Sequence, residues 1–84
     1  MMRITVECHG VLRKVCGDAV EVELQSPAAT VAGVLDALAR EMPELSVYLP
    51  RVACARADAL VRRDEPVREG DRLALIPPVS GGRA

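Results

Sequence analysis

Val67-Arg68-Glu69-Gly70-Asp71-Arg72-Leu73-Ala74-Leu75-Ile76-Pro77-Pro78-Val79-Ser80-Gly81-Gly82 reads as a turn, a strand and a slim tail. Gly70 stands where a tight turn needs a positive φ, which glycine reaches without a Cβ penalty. Arg72 to Ile76 form a final strand, and the two prolines end it because they cannot donate a further ladder hydrogen bond. Past them the chain has two fixed φ angles, little side-chain bulk and two glycines at its tip. Such a segment suits a strap threaded into a narrow pocket of another protein.

Upstream of that strand, Val31, Val34, Leu35, Leu38 and Met42 recur at helical spacing and mark one apolar face. Thr30 is the expected N-cap and Arg40 suits the last turn. Pro43 stops the helix by lacking an amide hydrogen and restricting Met42. Gly33, inside the helix, is read as allowing close approach to a sheet. At the start of the chain, Arg3 to Cys8 and Val20 to Leu24 alternate polar and apolar residues with period two, as half-buried strands do. His9-Gly10 and Gly17-Asp18 mark turns between them, with Leu12 and Val15 dipping toward the core. Strands this close in sequence are expected to pair as an antiparallel hairpin. Between helix and final strand, Leu45 to Leu49 form an apolar segment, and Val52, Cys54 and Leu60-Val61 suggest two short strands joined near Ala57-Asp58. Strands bracketing one covering helix pack most economically as an α+β roll.

Composition narrows the function classes. With 84 residues there is room for one domain, and with no Phe or Trp and a single Tyr its core must be built from aliphatic side chains. Eleven basic and twelve acidic residues are dispersed along the chain, which argues against a nucleic-acid partner. Arg62-Arg63 is neutralised by Asp64 and Glu65 and reads as a solvated turn. The alternating N-terminus resembles neither a signal peptide nor a membrane span, so no membrane partner is expected. Three cysteines, Cys8, Cys16 and Cys54, without a CxxC pair, argue against a disulfide framework and fit a reducing cytoplasm.

Candidate chemistry within the chain is sparse. Cys8 and His9 are neighbours in a strand and point to opposite faces, and with one histidine in the sequence a zinc site is poorly supplied. No metal site is expected, and the cysteines are read as small core-lining hydrophobes. Ser26 and Ser46 have only His9 as a histidine base, so no triad can be assembled. Gly81-Gly82 lacks the following Lys and helix of a phosphate loop. The chain does not read as a self-sufficient enzyme.

The tail and the turn before its strand together resemble the ubiquitin-like sulfur carriers of the MoaD and ThiS type, which include the small subunit of molybdopterin synthase. Leu12-Arg13, Thr30-Val31 and the final strand extend the likeness more loosely over the whole chain. The resemblance implies a β-grasp fold, with a mixed four- or five-stranded sheet, one main helix and an extended tail. It divides the chain into a domain over residues 1–76 and a tail over 77–84.

In the family, a ubiquitin-activating-like adenylyltransferase uses ATP to adenylate the terminal glycine, and persulfide sulfur then displaces AMP to leave a thiocarboxylate. Carried over, Gly82 would hold the sulfur and Gly81 would give a slim approach. Pro77, Pro78, Val79 and Ser80 would keep the tail in register within the partner, the large subunit of molybdopterin synthase. No cofactor would be bound by the chain itself, which would be a non-catalytic subunit of a sulfurtransferase. Two departures stand out. The family's aromatic near the first strand is absent at Gly10 to Leu12. Arg83 and Ala84 follow Gly82 and carry the chain about 7 Å further, at roughly 3.5 Å per extended residue, so carrier chemistry would require a protease to remove them. Alternatives are sulfur delivery to thiamin, cysteine or a thio-metabolite, or a β-grasp interaction module or protein modifier.

Overall fold

Side chains along β1 (Met2–Cys8) alternate between the interior and the outer face, with Ile4 and Val6 fully buried. β2 (Ala19–Leu24) pairs with it antiparallel, placing Val22 opposite Ile4 and Val20 opposite Val6, as the period-two pattern predicts. The computed structural model describes residues 2–25 and 29–77. Within them a five-stranded mixed sheet runs in the order β2-β1-β5-β3-β4, with β3 at Ala53–Arg56, β4 at Ala59–Val61 and β5 at Arg72–Ile76. β5 lies at the centre, parallel to β1 and antiparallel to β3. One face is covered by the main helix, Val31–Glu41, and the whole is a ubiquitin-like β-grasp. β3 and β4 join through Ala57 and Asp58 at φ 51° and 70°, the left-handed pair a two-residue hairpin turn requires.

The main helix begins where Thr30 Oγ1 accepts a hydrogen bond from the Gly33 amide at 3.4 Å, and it ends against Pro43. Its first amides, which have no partner within a helix, donate to a neighbouring segment: Val31 N to Glu65 O at 2.9 Å and Ala32 N to Arg63 O at 2.8 Å. Val31, Val34, Leu35 and Leu38 are buried, facing a core that includes Leu73 and Leu75 of the central strand.

Three expectations are corrected. Cys8 and Cys16 form a disulfide, their Cα atoms 6.7 Å apart, while Cys54 is a free buried thiol. An odd cysteine count without CxxC does not exclude a bridge here, because the chain folds back on itself between the two residues. After β1 it makes a 3-10 turn at Gly10–Leu12 and a short helix, α1 (Arg13–Cys16), anchored by the fully buried Leu12, which brings residue 16 back to residue 8. The inference from cysteine usage to a reducing cytoplasm loses its basis. Separately, among the described residues no helix is long and apolar enough to cross a membrane.

Gly33 is the second correction. A Cβ built there would meet only Ala29 Cβ, at 3.9 Å, so the glycine faces no tight approach to the sheet. The third is the Arg62 to Glu65 segment. Arg63 Nη2 donates to Leu49 O at 2.8 Å and Val52 O at 2.9 Å, so the segment is built into the structure instead of being merely solvated.

Candidate functional site

The central strand delivers the chain to one end of the sheet. Its start is fixed to β1 by Thr5 N donating to Asp71 O, Gly70 N donating to Arg3 O, both at 2.9 Å, and Arg3 N donating to Glu69 Oε1 at 2.8 Å. Gly70 has the expected positive φ, 85°. At its far end Leu75 lies in register with Cys8 on one side and Cys54 on the other, and Pro77 follows Ile76 out of the ladder. Pro77 rests against Gly10, whose φ is +59°; a Cβ on Gly10 would fall 2.9 Å from Pro77 Cγ. Pro77 is therefore the one tail residue the structure places. Pro78, Val79, Ser80, Gly81 and Gly82 lie outside the described residues.

Beside this exit, the sheet face opposite the helix holds a shallow trough of about 680 Å³. Its floor follows the ladder: Glu7, Ala74, Ala55 and Leu60 are successive partners across four strands. Two alanines leave room over the centre, while Leu60, 73% exposed, and Ile76, 41% exposed, supply apolar walls. At the polar end Arg72 donates from Nε (3.0 Å) and Nη2 (2.6 Å) to Glu7 Oε2, and His9 Nε2 lies 4.0 Å from Glu7 Oε1. An apolar depression with a polar rim is suited to docking a protein surface. No contiguous stretch of sequence marks this trough. The available signal was the phase of β5, where Ala74 and Ile76 fall on the outward, polar side.

Other sequence candidates are dispersed. Ser46 Oγ donates to Pro43 O at 2.7 Å and stabilises a turn, while Ser26 lies outside the described residues. Burial pushes the Cys54 thiol pKa up, with the Arg63 charge opposing, so Cys54 stays protonated and weakly nucleophilic. Among the described residues no group of three or more His, Cys, Asp or Glu side chains converges on a point that could hold a metal ion. What the geometry supports is presentation: a strand aimed outward, a seat for the first tail residue and an adjacent docking trough.

The model of the ThiS family matches residues 9–82. The chain belongs to this family of ubiquitin-like sulfur carriers. The match spans the seat at Gly10 and ends on Gly82, leaving Arg83 and Ala84 beyond it. This ThiS-family chain is 30% identical over 84 residues to the molybdopterin synthase sulfur carrier subunit of Mycobacterium tuberculosis, covering 98% of this chain and 100% of that one. Its fold is similar to the crystal structure of small archaeal modifier protein 1 from Haloferax volcanii, with a TM-score of 0.82, 28% identity and coverage of 94% and 100%. It is also similar to a chain in the complex of subunits 1 and 2 of molybdopterin-converting factor from Helicobacter pylori, with a TM-score of 0.64, 26% identity and coverage of 96% and 100%. Family membership makes it a sulfur carrier.

Proposed function

We propose that this chain is the sulfur carrier of molybdopterin synthesis, with Gly82 as the reactive residue. An adenylyltransferase of the ubiquitin-activating type joins the Gly82 carboxylate to AMP from ATP, releasing pyrophosphate. The terminal sulfur of the donor's persulfide then attacks the acyl carbon and AMP leaves, giving an acyl disulfide; a second donor thiol attacks the donor-side sulfur, a donor disulfide forms as the acyl S–S bond breaks, and Gly82 is left as a thiocarboxylate with one oxygen replaced by sulfur. The thiocarboxylate is a better nucleophile than the carboxylate and passes its sulfur to a pterin precursor held by the large subunit. Residues 77–84 act as the tail of a domain spanning 1–76, and Pro77, Pro78, Val79, Ser80 and Gly81 thread it into each partner. The partners supply the acid, base and positioning groups. A protease that removes Arg83 and Ala84 exposes the Gly82 carboxyl.

The observation that carries this reading is the exit of the central strand at Pro77, beside an apolar trough, in a chain whose family match ends on Gly82. The Mycobacterium tuberculosis relative and the Helicobacter pylori complex favour the molybdopterin branch and a large-subunit partner. The test supplies the thiocarboxylated chain to the large subunit with a pterin precursor and follows labelled sulfur. Sulfur appearing in the pterin is expected; sulfur retained on the chain with a competent large subunit excludes the molybdopterin branch.

A second reading is favoured by Arg83-Ala84 and by similarity to small archaeal modifier protein 1: after trimming, Gly82 serves another sulfur acceptor or forms an isopeptide bond. Isopeptide-linked forms that disappear when Gly82 is replaced would support modification. Labelled sulfur in thiamin, cysteine or another thio-metabolite would support a different acceptor.

A further inference from the structure

On the trough face, β3 has one neighbour on each side, and the two neighbours complement each other. Ala55 of β3 stands opposite Ala74 of β5 and opposite Leu60 of β4. Adjacent strands lie about 4.8 Å apart, so Leu60 and Ala74 are equally far from the line of β3. One is a knob and the other a hole: Leu60 is the most exposed large apolar side chain among the described residues, and Ala74 lies half-buried in the trough floor. The charges repeat this arrangement. Continuing the same registers by two residues puts Arg72, on β5, level with Asp58, in the turn that leads into β4. Both line the trough. Asp58 has no ion-pair partner among the described residues. Arg72 uses Nε and Nη2 on Glu7 Oε2, which leaves Nη1 without a partner among them.

When two copies meet face to face, a two-fold axis lying along β3 exchanges β4 with β5. It sets each Leu60 over the other copy's Ala74 and each Asp58 opposite the other copy's Arg72. Both contacts then occur twice, as a self-complementary interface requires. An axis between β3 and β5 would instead set Leu60 on the Glu7 carboxylate, so the registers favour β3. Sheets packed in this way lie about 10 Å apart, a gap that facing arginine and aspartate side chains bridge together. We propose that the trough takes a second copy of this chain, with Leu60 as the apolar anchor and Asp58–Arg72 as the pair that fixes register. Three short strands make a small contact, so the dimer is weak and reversible. The charge pair sits at the rim and sets orientation more than affinity. A copy seated in the trough excludes the large subunit. That consequence rests on the carrier reading, which docks the large subunit here; the pairing itself does not.

The test sediments the full 84-residue chain alone, from about 10 μM to about 1 mM, where a contact of this size associates. A reversible monomer–dimer equilibrium is expected. In an equal mixture of isotope-labelled and unlabelled chain, filtered NOEs should connect Leu60 methyls of one copy to the Ala74 methyl of the other. Leu60→Glu should weaken association about tenfold or more. Asp58→Lys and Arg72→Asp should each weaken it, and their equal mixture should restore it, because the exchanged charges meet again across the axis. Asp58 stands at φ 70°, where lysine is strained. If Asp58→Lys does not fold, Asp58→Asn suits that conformation, removes only the charge and should still weaken the dimer. A chain that stays monomeric at about 1 mM, or a dimer without the Leu60–Ala74 NOEs, would overturn the proposal. So would a mixture of the two charge variants that associates no better than either alone. A large subunit that binds the dimer without dissociating it would take partner docking off this face and leave the pairing supported.

Discussion

Arg63 and its neighbour Arg62 look alike in sequence and do different things. Arg63 reaches inward to the Leu49 and Val52 carbonyls, whereas Arg62 remains exposed and pairs with Asp64 at 3.3 Å. Arg63→Ala leaves two partly buried acceptors without their donor and is expected to lower unfolding stability by about 1–3 kcal/mol in urea titrations. Arg62→Ala should leave the midpoint unchanged, because an exposed ion pair adds little. Equal effects would mean that the inward bonds do not matter. Gly33→Ala should raise stability by about 1 kcal/mol, since the helix gains propensity and the added methyl meets only ordinary contact with Ala29. A loss on the same titration would restore a packing role for Gly33. Neither role was legible beforehand. Arg62-Arg63-Asp64-Glu65 is self-neutralising in sequence, and only the packed fold decides which guanidinium turns inward.

At the scale of elements, legibility followed periodicity. β1, β2, the main helix and β5 each carry a repeating apolar pattern with clear stop signals, and each is where the pattern predicts. Residues 43–51 carry apolar residues without a period. There, 3-10 turns at Pro43–Leu45 and Leu49–Arg51 bury Leu45 and Leu49 and leave Val47 72% exposed. The β1–β2 connection was read as turns, because the short helix that closes the disulfide has too few residues to show a repeat. Chain-entropy reasoning for a loop of this size gives a stabilisation of about 2–3 kcal/mol. Cys16→Ser should therefore lower stability by that amount under oxidising conditions. Adding reductant should bring the natural chain down to the same level and leave the variant unmoved; a natural chain indifferent to reductant would contradict the structural role of the bridge.

Across the whole molecule, local and assembled parts of the site differ in legibility. Pro77-Pro78-Val79-Ser80-Gly81-Gly82 is contiguous, so its likeness to the family is visible in the sequence, and the family match ends on Gly82. The trough is assembled from single outward residues on four strands, so no local pattern reveals it. Its docking role predicts that Leu60→Glu, at an exposed position, leaves unfolding stability unchanged and weakens binding to the large subunit about tenfold or more, a loss of about 1.4 kcal/mol or greater. Unchanged affinity in calorimetry would move docking off this face.

The proposed carrier role rests on Gly82 carrying sulfur. The most direct measurement is intact and fragment mass after incubation with the activating enzyme, ATP and a persulfide donor. Chain trimmed after Gly82 should exchange one oxygen for one sulfur, localised to Gly82, while chain retaining Arg83 and Ala84 should not. A correctly trimmed chain of unchanged mass, with an activating enzyme competent toward another carrier, would contradict the account.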